Sequence, residues 1–342
     1  MKLGMLTGGG DCPGLNAVIR AVTRKAIVSY GDTVIGVRNG WKGLLQDEVV
    51  DLKLASVSGI LPRGGTILGT SRTNPIGKPD QMEKILSNMK RHELDAVIAI
   101  GGDDTLRVCH ELHKSGAKVV GVPKTIDNDI AETDYTFGFN TAVHIVTEAI
   151  DRLHTTAESH HRIMVVEVMG RHTGWIAVMS GLAGGADAIL IPEIPYDVDE
   201  LCGTLKKRHE VKPFSIVVVA EGAVEKGQDE PVVQSHKLDE FGHVHLGGIG
   251  SVLARQIEER TGIQTRVTML GYIQRGGTPT AYDRILGTRF GVRAVEAVHE
   301  GEFGRMVALK GEKLELVPLE KAIRGPKRVD DALFKVAKVF FG

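Results

Sequence analysis

Apolar residues in this chain gather in short runs, Lys2–Thr7, Thr33–Val37, Ala96–Ile100, Lys118–Val122, Ile163–Val168, Ala188–Ile191, Phe214–Val219 and Met306–Lys310, and Thr265–Leu270, where Arg266 and Thr268 interrupt the apolar residues, reads as a further strand. Runs of this length without polar alternation predict strands buried on both faces, as in parallel sheets. Between them lie longer stretches of helical spacing. Leu15, Val18, Ile19 and Val22 share one face, and the same periodicity marks Thr141–Ala157, Gly247–Thr261, Ala281–His299 and Asp331–Phe340. Strand, polar glycine turn and helix follow one another from the first residues and restart near Ile163. This grammar predicts an α/β protein of two Rossmann-like domains, each with a parallel-rich sheet and helices on both faces.

The turns carry the chemistry. Gly8-Gly9-Gly10-Asp11 opens a helix, so its backbone N–H groups and the helix dipole face an anion. Its spacing matches neither the dinucleotide fingerprint nor a Walker A loop. Two acidic loops follow predicted neighbouring strands: Gly101-Gly102-Asp103-Asp104-Thr105 and Pro123-Lys124-Thr125-Ile126-Asp127-Asn128-Asp129. Four carboxylates at one sheet edge repel one another unless a cation or proton intervenes, and Mg²⁺ shared with phosphate oxygens is the simplest remedy. Asp104 could instead cap a helix starting at Leu106. Arg63 and Arg72 stand among glycines and hydroxyls, while Arg266 and Arg275 flank Tyr272 near Gly271, an arrangement suited to phosphate groups. Taken together, these loops point to phosphoryl transfer.

Other residues favour plainer roles. Trp41 beside a turn reads as packing more readily than as a base-stacking platform. His160, His161 and His172, like His243 and His245, lack a third ligand at metal spacing and read as structural or solvated; Asp239–His243 reads as a hairpin tip, and Lys321–Arg328 as a solvated connection.

Composition narrows the class. The chain has 342 residues, 42% of them hydrophobic and 25% charged, with a formal net charge of −1, as in a globular protein of two ordinary domains. Near-neutral charge spread along the chain gives no reason to expect nucleic acid or an anionic membrane. Cys12, Cys109 and Cys202 lack ligand spacing and read as packing thiols of a reducing compartment. With no signal-like N-terminus and no membrane-length apolar run, a cytoplasmic protein is expected.

In order along the chain, Gly9–Asp11, Gly101-Gly102-Asp103, Thr125–Asp129, Met169-Gly170-Arg171 and Gln274-Arg275-Gly276-Gly277 resemble the motifs of the 6-phosphofructokinases, over nearly its whole length. The resemblance implies a donor domain of residues 1–139 plus 250–302 and a sugar-phosphate domain of 140–249 plus 303–342. It implies Asp127 as the base for the sugar 1-hydroxyl, with Thr125 and Arg171 assisting, and Asp103 at the Mg²⁺ site, aided by Asp129. Gly10, Arg72, Gly102, Asp104 and Lys124 match the donor site. Thr125, Asp127, Met169, Gly170, Arg171, Glu221, Tyr272 and Arg275 match the fructose 6-phosphate site. Arg162 and Arg266 match arginines that reach that site from a neighbouring subunit, which implies a homodimer or homotetramer.

Two departures bear on the donor. Where ATP-using members generally have glycine, this chain has Asp104, and where many have Pro-Gly-Thr it has Lys124. A carboxylate at the α-phosphate position, about 4 Å from a like charge at an effective dielectric near 20, costs about 4 kcal/mol. Lys124 adds an ammonium for a shorter donor. Both changes resemble the pyrophosphate-dependent branch and favour diphosphate; ATP is the alternative donor, and a catalytically silent sugar-phosphate sensor is a third reading. Arg20 and Arg24 persist from the family's effector site, but His154 and Asp187 replace its usual arginine and glutamate, so weak or absent nucleotide regulation is expected.

Overall fold

A computed structural model describes residues 1–235, 240–242 and 244–342, with 234, 235 and 245 described in backbone only. The elements follow in order: β1 (Lys2–Thr7), α1 (Leu15–Lys25), β2 (Thr33–Val37), α2 (Trp41–Gln46), β3 (Val49–Leu52), α3 (Pro79–Arg91), β4 (Ala96–Gly101), α4 (Asp103–Lys114), β5 (Val119–Thr125), β6 (Phe137–Gly138) and α5 (Phe139–His160). The second half supplies β7 (Ile163–Val168), α6 (Trp175–Ala183), β8 (Ala188–Leu190), α7 (Val198–Val211), β9 (Ser215–Ala220), β10 (Val233–Ser235), β11 (His245–Leu246), α8 (Ile249–Thr261) and β12 (Thr265–Met269). It closes with α9 (Ala281–His299), β13 (Arg305–Lys310), β14 (Lys313–Pro318), α10 (Leu319–Ala322) and α11 (Asp331–Lys338). None of the described helices is long and apolar enough to cross a membrane.

The chain forms two compact units: Met1–Thr141, Asp239–Gly242 and Arg275–Gly325 in the first, Ala142–Leu238, His243–Gln274 and Pro326–Gly342 in the second. The implied exchange at 250–302 is therefore corrected at both ends. Residues 250–274 stay in the second unit because β12 pairs with β7 through five registered positions, Thr265↔Ile163 to Met269↔Glu167. Residues 303–325 return to the first unit because β13 pairs with β5 and carries β14 antiparallel beside it.

In the first unit the sheet runs β14-β13-β5-β4-β1-β2-β3, with β6 on β5. β1, β4 and β5 are adjacent and parallel, so their C-terminal ends share one edge. Strands β4 and β5 are buried at every position, as unbroken apolar runs require. The apolar run predicts an end at Val122, but β5 continues to Thr125. Pro123 is tolerated at the end of the β4 pairing, opposite Gly101, and Lys124 and Thr125 pair onward with Phe137 and Gly138. Trp41 is buried in the core beside Leu44, Ile85 and Val97, which settles it as packing.

In the second unit the sheet runs β12-β7-β9-β8, all parallel. Its core gathers Ile163, Val165, Val217, Val219 and Leu205 under α7 and α8. Asp197 caps α7 through the N–H groups of Asp199 and Glu200. β10 and β11 pair antiparallel; of the segment Asp239–His243 that reads as a hairpin tip, Asp239 and His243 lie outside the described residues.

Candidate active site

The acidic loops of the first unit sit at the ends of β4 and β5, beside the glycine turn that ends β1. Thr105, buried in the first turn of α4, fills the crook between them: a Cβ on either Gly8 or Gly101 would collide with its side chain. The two turns are glycine because that threonine occupies the space a side chain would need. Helix α4 starts at Asp103 with Gly102 as its N-cap, so Asp104 lies inside the first turn and is not the cap of a helix beginning at Leu106. Both acids there face the positive end of the helix dipole, which offsets part of their mutual repulsion.

The Thr125–Asp129 loop is held rigidly. Asn128 adopts a left-handed backbone (φ 53°) and is buried. Its side chain accepts from the Thr136 N–H at 3.0 Å and donates to the Asp134 carbonyl at 3.3 Å, while Thr136 Oγ1 donates to the Thr125 carbonyl at 2.8 Å. The Asp127 N–H donates to Thr125 Oγ1 at 3.1 Å. Asp127 is thereby fixed at the loop's turn, with its buried Oδ1 lacking a hydrogen-bond partner among the described residues. Burial, then the charges of Asp127 and, more weakly, Asp103, push the Asp129 carboxyl up to about 7. A buried carboxylate oxygen without a donor, beside an acid driven toward its neutral form, is an environment short of positive charge. Such a set fits a hard cation that takes one or two carboxylates and completes its shell with phosphate oxygens and water.

Cations approach the glycine turn from two directions. Lys124, on buried β5, donates from Nζ to the Gly10 carbonyl. Desolvation, reinforced by Arg275, lowers its pKa to about 8. Arg275 Nη1 donates to the Asp11 carbonyl at 3.3 Å. Its guanidinium thus stands at the glycine turn of its own unit, a placement that grouping it with the sugar-phosphate residues does not suggest. The segment carrying Arg72 is stitched to the same turn: Thr70 Oγ1 donates to the Gly9 carbonyl at 2.5 Å, and the Gly9 N–H to the Ser71 carbonyl at 3.1 Å. Cys12, packed against Phe137 and Gly138, is pushed up to about 12 by burial, and burial raises Cys109 and Cys202 as well, so all three stay thiols near neutrality.

In the second unit, Met169-Gly170-Arg171 ends β7 and Glu221-Gly222 ends its neighbour β9. The Glu221 N–H donates to the Val168 carbonyl at 2.8 Å and the Gly222 N–H to the Gly170 carbonyl at 3.1 Å. Gly222 lies so close to the Arg171 carbonyl that a Cβ would collide with it, and Gly170 has φ 143°. Arg171 Nη1 donates to the Val244 carbonyl at 2.7 Å. Buried Gln274 joins this loop to the turn bearing Tyr272: its Oε1 accepts from the Met169 N–H at 3.2 Å and its Nε2 donates to the Gly271 carbonyl at 3.0 Å. Tyr272 is largely exposed.

Arg162 and Arg266 are at the other end of that sheet. Arg162 precedes β7, donating from Nε to Gln264 Oε1 at 2.6 Å, and Arg266 is the second residue of β12, in register with Met164. At about 3.3 Å per residue, Arg162 stands roughly 20 Å from the loop that follows β7, and Arg266 about 10 Å from the end of β12. Both lie toward the edge of the sheet opposite the one that carries Met169–Arg171 and Glu221.

The remaining candidates hold structure. His154 Nε2 pairs with the Gly184 carbonyl at 2.7 Å; buried Asp187 accepts from Arg208 and from the Ile216 N–H, both at 2.8 Å. His160 ends α5 and His161 takes a left-handed backbone after it. Asn128, Thr105 and Gln274 stand inside the motifs without a role assigned to them there, and Thr136 stands outside them; all four brace the site. Only Asn128 leaves a local signal, as a residue that tolerates positive φ inside a loop.

A family model described as phosphofructokinase matches residues 2–298. A relative from Streptomyces coelicolor named pyrophosphate–fructose 6-phosphate 1-phosphotransferase is 57% identical over 343 residues, covering 100% of both chains. A second, from the same organism and named ATP-dependent 6-phosphofructokinase 3, is 54% identical over 339 residues, covering 99% of each. The solved phosphofructokinase of Pichia pastoris superposes with a TM-score of 0.84 at 33% identity over 99% of this chain, which spans 36% of that longer one. Both bacterial relatives align over 99% or more of this chain, and the family model matches most of it: the chain belongs to the phosphofructokinase family.

Proposed function

We propose that this enzyme is a pyrophosphate-dependent phosphofructokinase, moving a phosphoryl group from diphosphate to the 1-hydroxyl of fructose 6-phosphate, reversibly. The residue that carries the choice of donor is Asp104, in the first turn of α4, supported by Lys124, a buried ammonium fixed on the Gly10 carbonyl with the Arg275 guanidinium on the next residue. A lysine kept charged at neutral pH against its own desolvation needs a compact polyanion, and diphosphate is one. Asp104, in the first turn of α4, adds a negative charge that a longer nucleotide tail would have to pass. Overall identity does not choose between donors, since relatives bearing the two names stand at 57% and 54%.

In the reaction, the sugar O1 attacks the nearer phosphorus of diphosphate and the bridging P–O bond breaks. Inorganic phosphate leaves with that bond's electron pair, and the hydroxyl proton passes to Asp127, whose unpartnered Oδ1 is the accepting atom. In reverse, Asp127 returns the proton to O1. Asp103 would hold Mg²⁺, with Asp129 beside it; when bound, the ion neutralises charge on the donor oxygens. Thr125, through its hydroxyl bond to the Asp127 N–H, orients the base. Gly10, Arg72, Gly102, Lys124 and Arg275 bind the donor. Met169, Gly170, Arg171, Glu221 and Tyr272 bind the sugar phosphate, and Arg171 steadies the transferring group. Arg162 and Arg266, at the far end of their own sheet, complete the site of a neighbouring subunit in a homodimer or homotetramer.

The test is turnover of the purified enzyme with diphosphate and with ATP, each with Mg²⁺ and fructose 6-phosphate. Diphosphate is expected to support turnover and ATP to be at least a hundredfold poorer in kcat/KM, with Asp104→Gly recovering part of the ATP activity. Turnover with ATP alone would overturn the donor assignment.

A further inference from the structure

Arg107 lies one helical turn after Asp103 on α4 and donates from Nη2 to Asp103 Oδ2 at 2.8 Å. Both side chains are about half exposed, 46% and 44%, so the pair sits at the mouth of the acidic edge and not in the core. The acid it engages is the one expected to hold the metal. A carboxylate oxygen occupied by a guanidinium is not offered to a dication, and the guanidinium's own charge repels one.

We propose that Arg107 is a positioning residue that occupies Asp103 in place of the metal, making the free enzyme a poor binder of divalent cations, so that the metal enters together with the phosphoryl donor. Metal-free Asp103, left alone beside Asp104, Asp127 and Asp129, would be an open invitation to any divalent ion; the arginine closes it. A half-exposed ion pair one turn apart on a helix is weak and exchanges readily. A guanidinium fork fits phosphate oxygens as well as it fits a carboxylate. With a donor phosphate present, Arg107 would have an alternative partner for its fork, and Asp103, released from it, would be the carboxylate that holds the metal. The inference rests on Asp103 as the cation's carboxylate; it does not depend on which donor is used.

The experiment measures metal binding, with Mn²⁺ as the probe and the loss of the free aqueous Mn²⁺ electron-paramagnetic-resonance signal as the readout. It uses the full-length enzyme free of phosphate. Arg107→Met is expected to bind Mn²⁺ about tenfold more tightly than wild type, and Arg107→Lys, which keeps the charge, to stay within about threefold of wild type. Adding Asp103→Asn to Arg107→Met should erase the gain, locating it at that carboxylate. With saturating diphosphate, wild type and Arg107→Met should take up Mn²⁺ within about twofold of each other. Equal Mn²⁺ affinity with and without Arg107 in the absence of diphosphate would overturn the proposal, as would a gain that survives Asp103→Asn. Thermal melts by circular dichroism establish that the variants are folded, and Arg107→Gln replaces the methionine variant if that one is not. Wild-type assays with the two donors stand apart: failure of diphosphate turnover would sink the donor assignment and leave the Mn²⁺ comparison valid.

Discussion

The C-terminal edges of the two sheets use opposite means to reach the same end, a fixed loop. In the first unit the edge is crowded with acid, and buried side chains brace it: Thr105 between Gly8 and Gly101, and Asn128 with Thr136 under Asp127. In the second unit the edge is shaped by backbone against backbone, Gly222 on the Arg171 carbonyl and the Gly222 N–H on the Gly170 carbonyl, with buried Gln274 as a polar brace of the Met169 N–H. On the proposed roles, the loop that would present a proton acceptor and a metal carboxylate is held by hydrogen-bonded side chains, and the loop that would present donors to a phosphate is held by close backbone approach.

The sharpest way to break this contrast is Asp127→Asn. If the acidic edge exists to place a base, kcat should fall by about 10² to 10⁴ in both directions, with the KM values for diphosphate and fructose 6-phosphate within a few-fold of wild type. Steady-state kinetics in each direction measure this; an unchanged kcat would remove Asp127 from the chemistry.

Lys124→Met tests the next element, and it separates function from stability. Loss of a charged contact to the donor should lower kcat/KM for diphosphate by roughly a hundredfold. Folded Lys124 has its pKa lowered from 10.5 to about 8 by burial. The folded state therefore binds fewer protons than the unfolded one between those values, and the penalty is fully present below pH 8 and relieved as pH rises toward 10.5. At about 1.4 kcal/mol per pKa unit the penalty is about 3 kcal/mol at neutral pH, so the methionine variant should be more stable there by about 1–3 kcal/mol. Denaturant melts at pH 7 and pH 10 check it: the stability gap should narrow at the higher pH. Donor affinity in the wild type should weaken as pH rises through 8, and should hold in Lys124→Arg.

Much of this was open to reading from residues, and the parts that were not have physical reasons. Strands such as β1, β2, β4 and β7 are unbroken apolar runs buried on both faces, so periodicity finds them to within a residue or so. Helix α9 runs from Ala281 to His299, as its spacing predicts. The edge strand β14 alternates half-exposed positions and is overlooked, although Leu314 and Leu316 carry a period-two signal. Helix α3 buries only Ile85, Asn88 and Met89, too narrow a stripe to stand out. The proposed catalytic acids stand out in the sequence because four carboxylates in two loops repel one another unless something compensates them. Their braces do not, because buried Thr105 and Thr136 acquire meaning only once β1, β4 and β5 lie side by side. Unit membership of 250–274 and 303–325 depends on which strands pair, a tertiary fact that no local pattern encodes.

The third test uses the two ends of the second sheet. Arg162→Ala and Arg266→Ala should each raise the KM for fructose 6-phosphate about tenfold or more, although Arg162 precedes β7 and Arg266 is the second residue of β12, both toward the end of the sheet away from the loops of their own unit. If they serve a neighbour, an inactive Asp127→Asn chain still carries intact arginines. Mixing it with Arg162→Ala under conditions that exchange subunits should restore sites with low KM, in which the base comes from one chain and the arginine from the other. A mixture whose KM equals that of Arg162→Ala alone would show that the arginines act elsewhere.

The smallest expected effects are the most diagnostic of the contrast itself, because they concern braces that touch no substrate. Asn128→Ala removes the acceptor for the Thr136 N–H and puts a Cβ-bearing residue without a polar side chain at φ 53°. Gln274→Ala removes the acceptor for the Met169 N–H. Asn128→Ala leaves a buried backbone N–H unpaired, at a cost of about 1–3 kcal/mol of stability, and Gln274→Ala a half-buried one, at the low end of that range. Their kinetic signatures should differ. Loosening the Thr125–Asp129 loop lets the base drift, so Asn128→Ala should lower kcat about threefold to tenfold and leave the KM for fructose 6-phosphate near wild type. Loosening Met169-Gly170-Arg171 weakens ground-state sugar binding, so Gln274→Ala should raise that KM about threefold to tenfold and leave the KM for diphosphate unchanged. Should both variants lose kcat and KM together, the two edges would not be independently braced, and rigidity at one would be inseparable from rigidity at the other.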